Sequence, residues 1–207
     1  MRNYETFNKF NHFHIFFSFS AYSETYRSQN PIHVHALISV VGSGFSSGYN
    51  FNEQFQIGID YSSISYDTTG TSDESNYSAN IAFRSYNLFS RFFFIDDYSF
   101  FLQGGLLNRD WNATGEYYKK DTGFKWGKIE ILWPSVALNY GLGWNGVASF
   151  GLSGVVMLYG VYGDAVSVTY TEYGNYTFSE DGKKEFNDSV SRLNNPTGLL
   201  LAIGYNF

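Results

Sequence analysis

Residues 198–207 read GLLLAIGYNF. Successive side chains of a strand point to opposite sides, so Leu199, Leu201, Ile203, Tyr205 and Phe207 share one face when the segment is extended. Gly198, Leu200, Ala202, Gly204 and Asn206 take the other. A chain end this apolar frays in water unless something ties it down. Which solvent that face meets decides the fold.

The same two-residue period runs back along the chain. Aromatic residues make up 21% of the 207 positions and charged residues only 15%, a balance that favours strand over helix. No stretch approaches the roughly 18 consecutive apolar residues of a spanning helix. The formal net charge of −6 argues against nucleic acid, which calls for a clustered basic surface. The absence of cysteine excludes a disulfide framework and any thiolate metal site.

Alternation predicts seven strands, at 34–49, 54–66, 77–93, 98–107, 130–143, 147–161 and 197–207. Polar loops separate some of them, at 67–76, 108–128 and 162–196. Tight turns join others, at 50–53, at Asp96 and Asp97, and at Asn145-Gly146, the strongest hairpin dipeptide in the chain. Residues 1–207 form one domain. The N-terminal stretch has two readings. Residues 10–22 alternate correctly for a further strand, whereas 1–23 also has the apolar run and small-residue site of a cleaved secretory signal. In the second case a strand has to come from within 162–196, with AVSVTYTEY (165–173) the candidate.

An amphipathic all-β chain suits either a soluble sandwich or barrel with its apolar face inward, or a membrane barrel with that face outward. Three features favour the membrane. The opposite face is rich in Gly, Ser, Ala and Asn rather than Lys and Glu, which fits a narrow lumen. Aromatic residues gather at presumed strand ends, as interfacial girdles require. Short turns alternate with long loops, as in barrels with short periplasmic turns and longer external loops.

The ending, carried by Leu201, Ile203, Tyr205 and Phe207, resembles the signal by which the barrel-assembly machinery reads bacterial outer-membrane barrels. Ala202 stands where that signal usually has glycine. The stretch GYNFNEQFQIGIDY (48–61) is similar to the second strand, turn and third strand of OmpA- and OmpX-like barrels. The resemblance implies an antiparallel up-and-down transmembrane β-barrel of the bacterial outer membrane. Because single-chain barrels of this kind have even strand counts, it also implies eight strands.

Chemistry is sparse. His12/His14 and His33/His35 form two H-x-H pairs, each able to present two imidazoles on one face. The pairs fall at opposite ends of the barrel, so they read as interfacial or solvated histidines. Neither a catalytic group nor a cofactor is expected, and no histidine beyond residue 35 is there to serve one. Asp60 and Arg84 fall on the face assigned to the lumen. Pairing across 67–76 brings them within one position of each other, so an internal ion pair is expected, with Glu130 a third member. Trp111, Tyr117, Tyr118 and Trp126 in the polar loops are the candidates for surface binding. The expected function is structural or surface-binding, with a small pore or hydrophobic-ligand conduit as the alternative. A lipid-modifying enzyme is the remote third. The expected partners are outer-membrane lipid, lipopolysaccharide and the assembly machinery.

Overall fold

The computed structural model describes Arg27 and residues 29–72, 75–95 and 99–207. Both readings of residues 1–23, and the pair His12/His14, lie outside that range. The strands are β1 (Ile32–Ser39), β2 (Gly42–Asn50), β3 (Phe55–Thr71), β4 (Ser75–Ile95), β5 (Phe100–Lys119), β6 (Lys125–Leu132), β7 (Val136–Val147), β8 (Leu152–Gly163), β9 (Ser167–Glu172) and β10 (Thr197–Asn206). Helix α1 (Glu180–Ser191) lies between β9 and β10.

β1, β2, β3, β4, β5, β7, β8 and β10 pair in that order, all antiparallel, and β10 returns to β1. Eight strands therefore close a barrel. The seam runs from His33 opposite Asn206 to Ile38 opposite Leu201. It is locked where Phe207 N donates to Ile32 O at 2.8 Å and Ile32 N returns a bond at 3.2 Å.

The eighth barrel strand has a different origin from either candidate. The segment read as one strand, 34–49, is a hairpin. It turns at Val40 and Val41, and Gly42 takes φ +119°, which a side chain rarely tolerates. Asn145-Gly146 is not a turn. Asn145 faces inward, and β7 continues to Val147 before the chain reverses at Ala148–Gly151. Gly151, at φ +98°, supplies the left-handed turn residue there.

Outward positions of the barrel carry a continuous apolar belt that includes Ile59, Leu88, Leu106, Leu138, Leu158 and Ile203, all of them exposed. Aromatic rings border it at both ends: Phe55, Phe92 and Phe100 at the end bearing the chain terminus, and Phe45, Tyr61, Tyr86 and Tyr162 at the other. Eight steps along β5 from Phe100, at ~3.4 Å each and tilted by about 40°, rise roughly 20 Å, close to the apolar band of a membrane barrel.

Beyond the belt the barrel grows on one side only. β3, β4 and β5 continue upward, β6 extends β7 beyond a break at Trp133–Ser135, and β9 extends β8 beyond 164–166. Pro134 has no N–H for the ladder, so the strand breaks there. Its carbonyl instead accepts from Arg109 Nε at 2.9 Å. The loops expected at 67–76 and 108–128 are therefore mostly strand. Their polarity reflects an outer surface in water, where a strand needs no apolar outward face.

The apolar face changes side at this boundary. On β4, Tyr86 and Leu88 point outward, but Phe83 and Ile81 pack inward. The Phe83 ring lies 5.1 Å from Trp111 and 5.3 Å from Trp133. These rings, with Leu107, Val161 and Leu200, form an apolar layer above the lumen.

Residues 165–173 do contain a strand, β9, but it belongs to the raised wall and not to the barrel. α1 was not legible as a helical period, because Val190 is its one buried residue. Its start is marked, however: Ser179 Oγ accepts from Gly182 N at 3.1 Å, and Glu180 and Asp181 occupy the first turn. Lys183 holds the helix to β9 through Glu172 at 3.2 Å.

Candidate functional site

Inward side chains fill the barrel. Arg91, fully buried, is the centre: Nε donates to Gln103 Oε1 at 2.8 Å and Nη1 to Gln56 Oε1 at 3.0 Å. Gln103 donates on to Asn139 at 3.0 Å, Asn139 to Asn87, and Asn87 to Asp60 Oδ2 at 2.9 Å. Gln56 Nε2 donates to Asn50 Oδ1 at 2.7 Å. The guanidinium also lies 4.4 Å over the Phe89 ring and 4.8 Å over Phe101. Five strands are thus tied across the lumen by neutral amides around one cation. Between Leu37, Ser62, Asn87 and Tyr159, at the upper edge of this network, the space left is about 10 Å³, roughly one water.

This arrangement replaces the expected Asp60–Arg84 pair. Asp60 does face the lumen, but it stands opposite Asn87, and Arg84 stands opposite Ser63. Arg84 points outward and pairs with Asp110 at 3.6 Å, both side chains more than half exposed. Glu130 is also outside, bound to Lys128 at 2.7 Å. The reversed apolar face explains the error: counting outward residues from Phe83 puts Arg84 on the wrong side. The lumen cation that acts on Asp60 is Arg91.

His33 and His35 are buried in the lumen, not interfacial or solvated. Their rings stack at 4.9 Å. His33 Nδ1 lies 3.2 Å from Gln56 Nε2, and His35 Nε2 lies 2.6 Å from Ser153 Oγ. No group of three or more His, Cys, Asp or Glu side chains able to hold a metal occurs among the described residues.

The aromatic binding candidates separate. Trp111 is buried and donates to Ser85 Oγ at 2.8 Å, so it belongs to the layer above the lumen. Tyr117 and Trp126 cluster with Phe178, at 5.5 and 4.9 Å, under the segment that leads into α1. Tyr118 is on the outer surface and donates to Glu116, which also takes Lys125. Those two hydrogen bonds hold the Glu116 carboxyl below the usual range. Glu172 is lowered likewise, first by the Phe178 N–H and then by Lys183. Leu201, Ile203, Tyr205 and Phe207 line the outward face at and just beyond the C-terminal strand, all exposed.

Neither a protein-family model nor a curated protein sequence matches this chain. Solved structures do. The crystal structure of Acinetobacter baumannii CarO superposes with a TM-score of 0.56 at 11% identity, over 86% of this chain and 98% of that one. That of Acinetobacter baumannii CarO2 gives a TM-score of 0.58 at 10% identity, with the same coverage. At that identity the likeness concerns the fold alone: a closed, antiparallel, eight-stranded barrel.

Proposed function

We propose that this protein is a bacterial outer-membrane barrel that anchors a raised strand wall at the cell surface, with a structural or binding role and no catalytic step. The observation that carries this reading is the inverted distribution of side chains: an apolar belt outside and a hydrogen-bonded polar core within. In water the belt would be a large exposed apolar surface, which soluble monomers avoid. The end that bears the turns at 51–54 and 148–151 then faces the periplasm, and the wall faces outward. Residues at the chain end serve as the assembly signal. Phe207→Ala, which keeps both backbone bonds to Ile32, is expected to lower the amount of assembled barrel several-fold in cells while barely changing the unfolding of barrel refolded in detergent. Unchanged cellular levels would remove that role.

A small pore is the second reading. It draws on buried lumen atoms without a protein partner, among them His33 Nε2, Asp60 Oδ1 and both amide atoms of Asn145 and Asn206. Planar-bilayer recording separates the two. The plug reading expects no discrete conductance steps, because the Arg91 network spans the lumen. Regular single-channel steps from purified protein would favour the pore.

A further inference from the structure

Three layers of different chemistry are stacked on one wall, the outward face of β3, β4 and β5. Lowest is a groove of about 590 Å³, between Ile59, Leu88 and Leu106 on one side and Phe45, Tyr61 and Tyr86 on the other. The three rings form a continuous row, with centroids 5.5 and 5.2 Å apart. It sits in the half of the belt next to the raised wall. Directly above this row, Ser63, Arg84 and Asp110 stand opposite one another. The Arg84–Asp110 contact is long and solvent-exposed, so it leaves both groups free to exchange partners at little cost.

Higher on the same strands the outward residues are mostly hydroxyls, amides and carboxylates; Ala82 lies between, and Glu116, opposite Ser78, is held by Lys125. Asp67 faces Asn80, Thr69 faces Ser78, and Thr71 faces Asn76. Asn80 Nδ2 donates to Asp67 Oδ1 at 2.7 Å. At the tip a second concavity, about 600 Å³, opens between Thr71, Asn76, Ser78 and Tyr118. From Tyr86 to Asn76 the strand runs ten residues, which at ~3.4 Å each and about 40° of tilt rises roughly 25 Å. The opposite wall offers no such strip, since β1, β2 and β10 stop at the edge of the belt.

We propose that this wall binds one phosphorylated glycolipid of the external leaflet. An acyl chain lies in the groove, a phosphate sits on Arg84, and the sugars follow the hydroxyl- and amide-lined strip to the tip. The proposal rests on the outer-membrane reading above, which places the groove in lipid and the strip in the headgroup zone. A phospholipid would end at the level of Arg84 and leave the strip unused. Sugar hydroxyls both donate and accept, which suits alternating Thr, Ser, Asn and Asp side chains. Asp110 and Asp67 add carboxylate acceptors for those hydroxyls. Lipopolysaccharide is the outer-membrane lipid with all three parts.

The test is lipid retention by the full chain in detergent, read by native mass spectrometry. The probes are rough-type lipopolysaccharide, lipid A without core sugars, and phosphatidylglycerol. Wild type should hold them in that order. Arg84→Gln should weaken lipopolysaccharide and lipid A alike, by about tenfold, through loss of a charge-assisted bond. The pair Asn76→Ala with Ser78→Ala should reduce lipopolysaccharide to the affinity of lipid A and leave lipid A unchanged. Leu158→Ala, on the outward face of β8, should change neither. Folding is read separately, by compact migration in unheated gels. A chain that stays monomeric and soluble without detergent overturns the membrane reading, and this proposal with it. A folded, detergent-dependent barrel whose retention ignores these substitutions, or that holds the three lipids equally, overturns the lipid site alone.

Discussion

Replacing Arg91 by methionine is expected to destabilise the barrel by about 3–5 kcal/mol, the usual cost of removing one member of a buried, charge-centred network. The loss has three parts. Gln56 Oε1 and Gln103 Oε1 each lose their donor, and Asp60 loses its nearby cation. Methionine refills the volume, so the cost reports the missing polar contacts rather than a cavity. Reversible urea unfolding in liposomes measures it. A double-mutant cycle sharpens the assignment. Arg91→Gln with Asp60→Asn should couple by at least ~1 kcal/mol, whereas Arg84→Gln with Asp60→Asn should add within ~0.5 kcal/mol, as unconnected sites do. Equal coupling in the two cycles would mean that Asp60 has no preferred partner.

The second large effect lies on the outer surface. Leu158 sits opposite Leu142 on β7 and Leu199 on β10, near the middle of the apolar belt. Leu158→Lys is expected to cost about 2–4 kcal/mol, and Tyr162→Lys, four residues nearer the interface on the same face, only about 0–1 kcal/mol. The gradient is the informative part. In a soluble protein both positions are exposed surface, and a lysine at either would be nearly neutral. Two small, equal effects in the bilayer would therefore show that the belt does not meet hydrocarbon.

Along the apolar belt the chain was legible. β10, β7 and the lower half of β3 alternate cleanly, and their outward residues are the apolar ones. Above the belt the rule lapses. Water outside and an apolar layer within invert the pattern between Tyr86 and Phe83, and this shifted the expected partner of Asp60 to the wrong face. The β1–β2 turn was hidden for a different reason. Its corner residues are Val40 and Val41, which carry no turn signal, and only Gly42 betrays the reversal. α1 escaped because a helix lying on a polar wall needs almost no buried face. The lumen network was half visible: Gln56 and Asp60 stood out on a clean strand, but Arg91 lies in SRFFFI (90–95), where aromatic residues on both faces mask the alternation.

The seam between β1 and β10 joins the first and last strands of the barrel. Its register pairs positions separated by most of the chain, such as Ile38 and Leu201. Contacts of such span are slow to form, because the loop they close runs from Ile38 to Leu201. The clasp cannot fasten until β10 and Phe207 have been made, since the Phe207 backbone exchanges two hydrogen bonds with Ile32. A chain cut short by even one strand would present two open sheet edges and no cylinder. Closure thus works as a strand count: only a chain that carries all eight barrel strands can hide every edge.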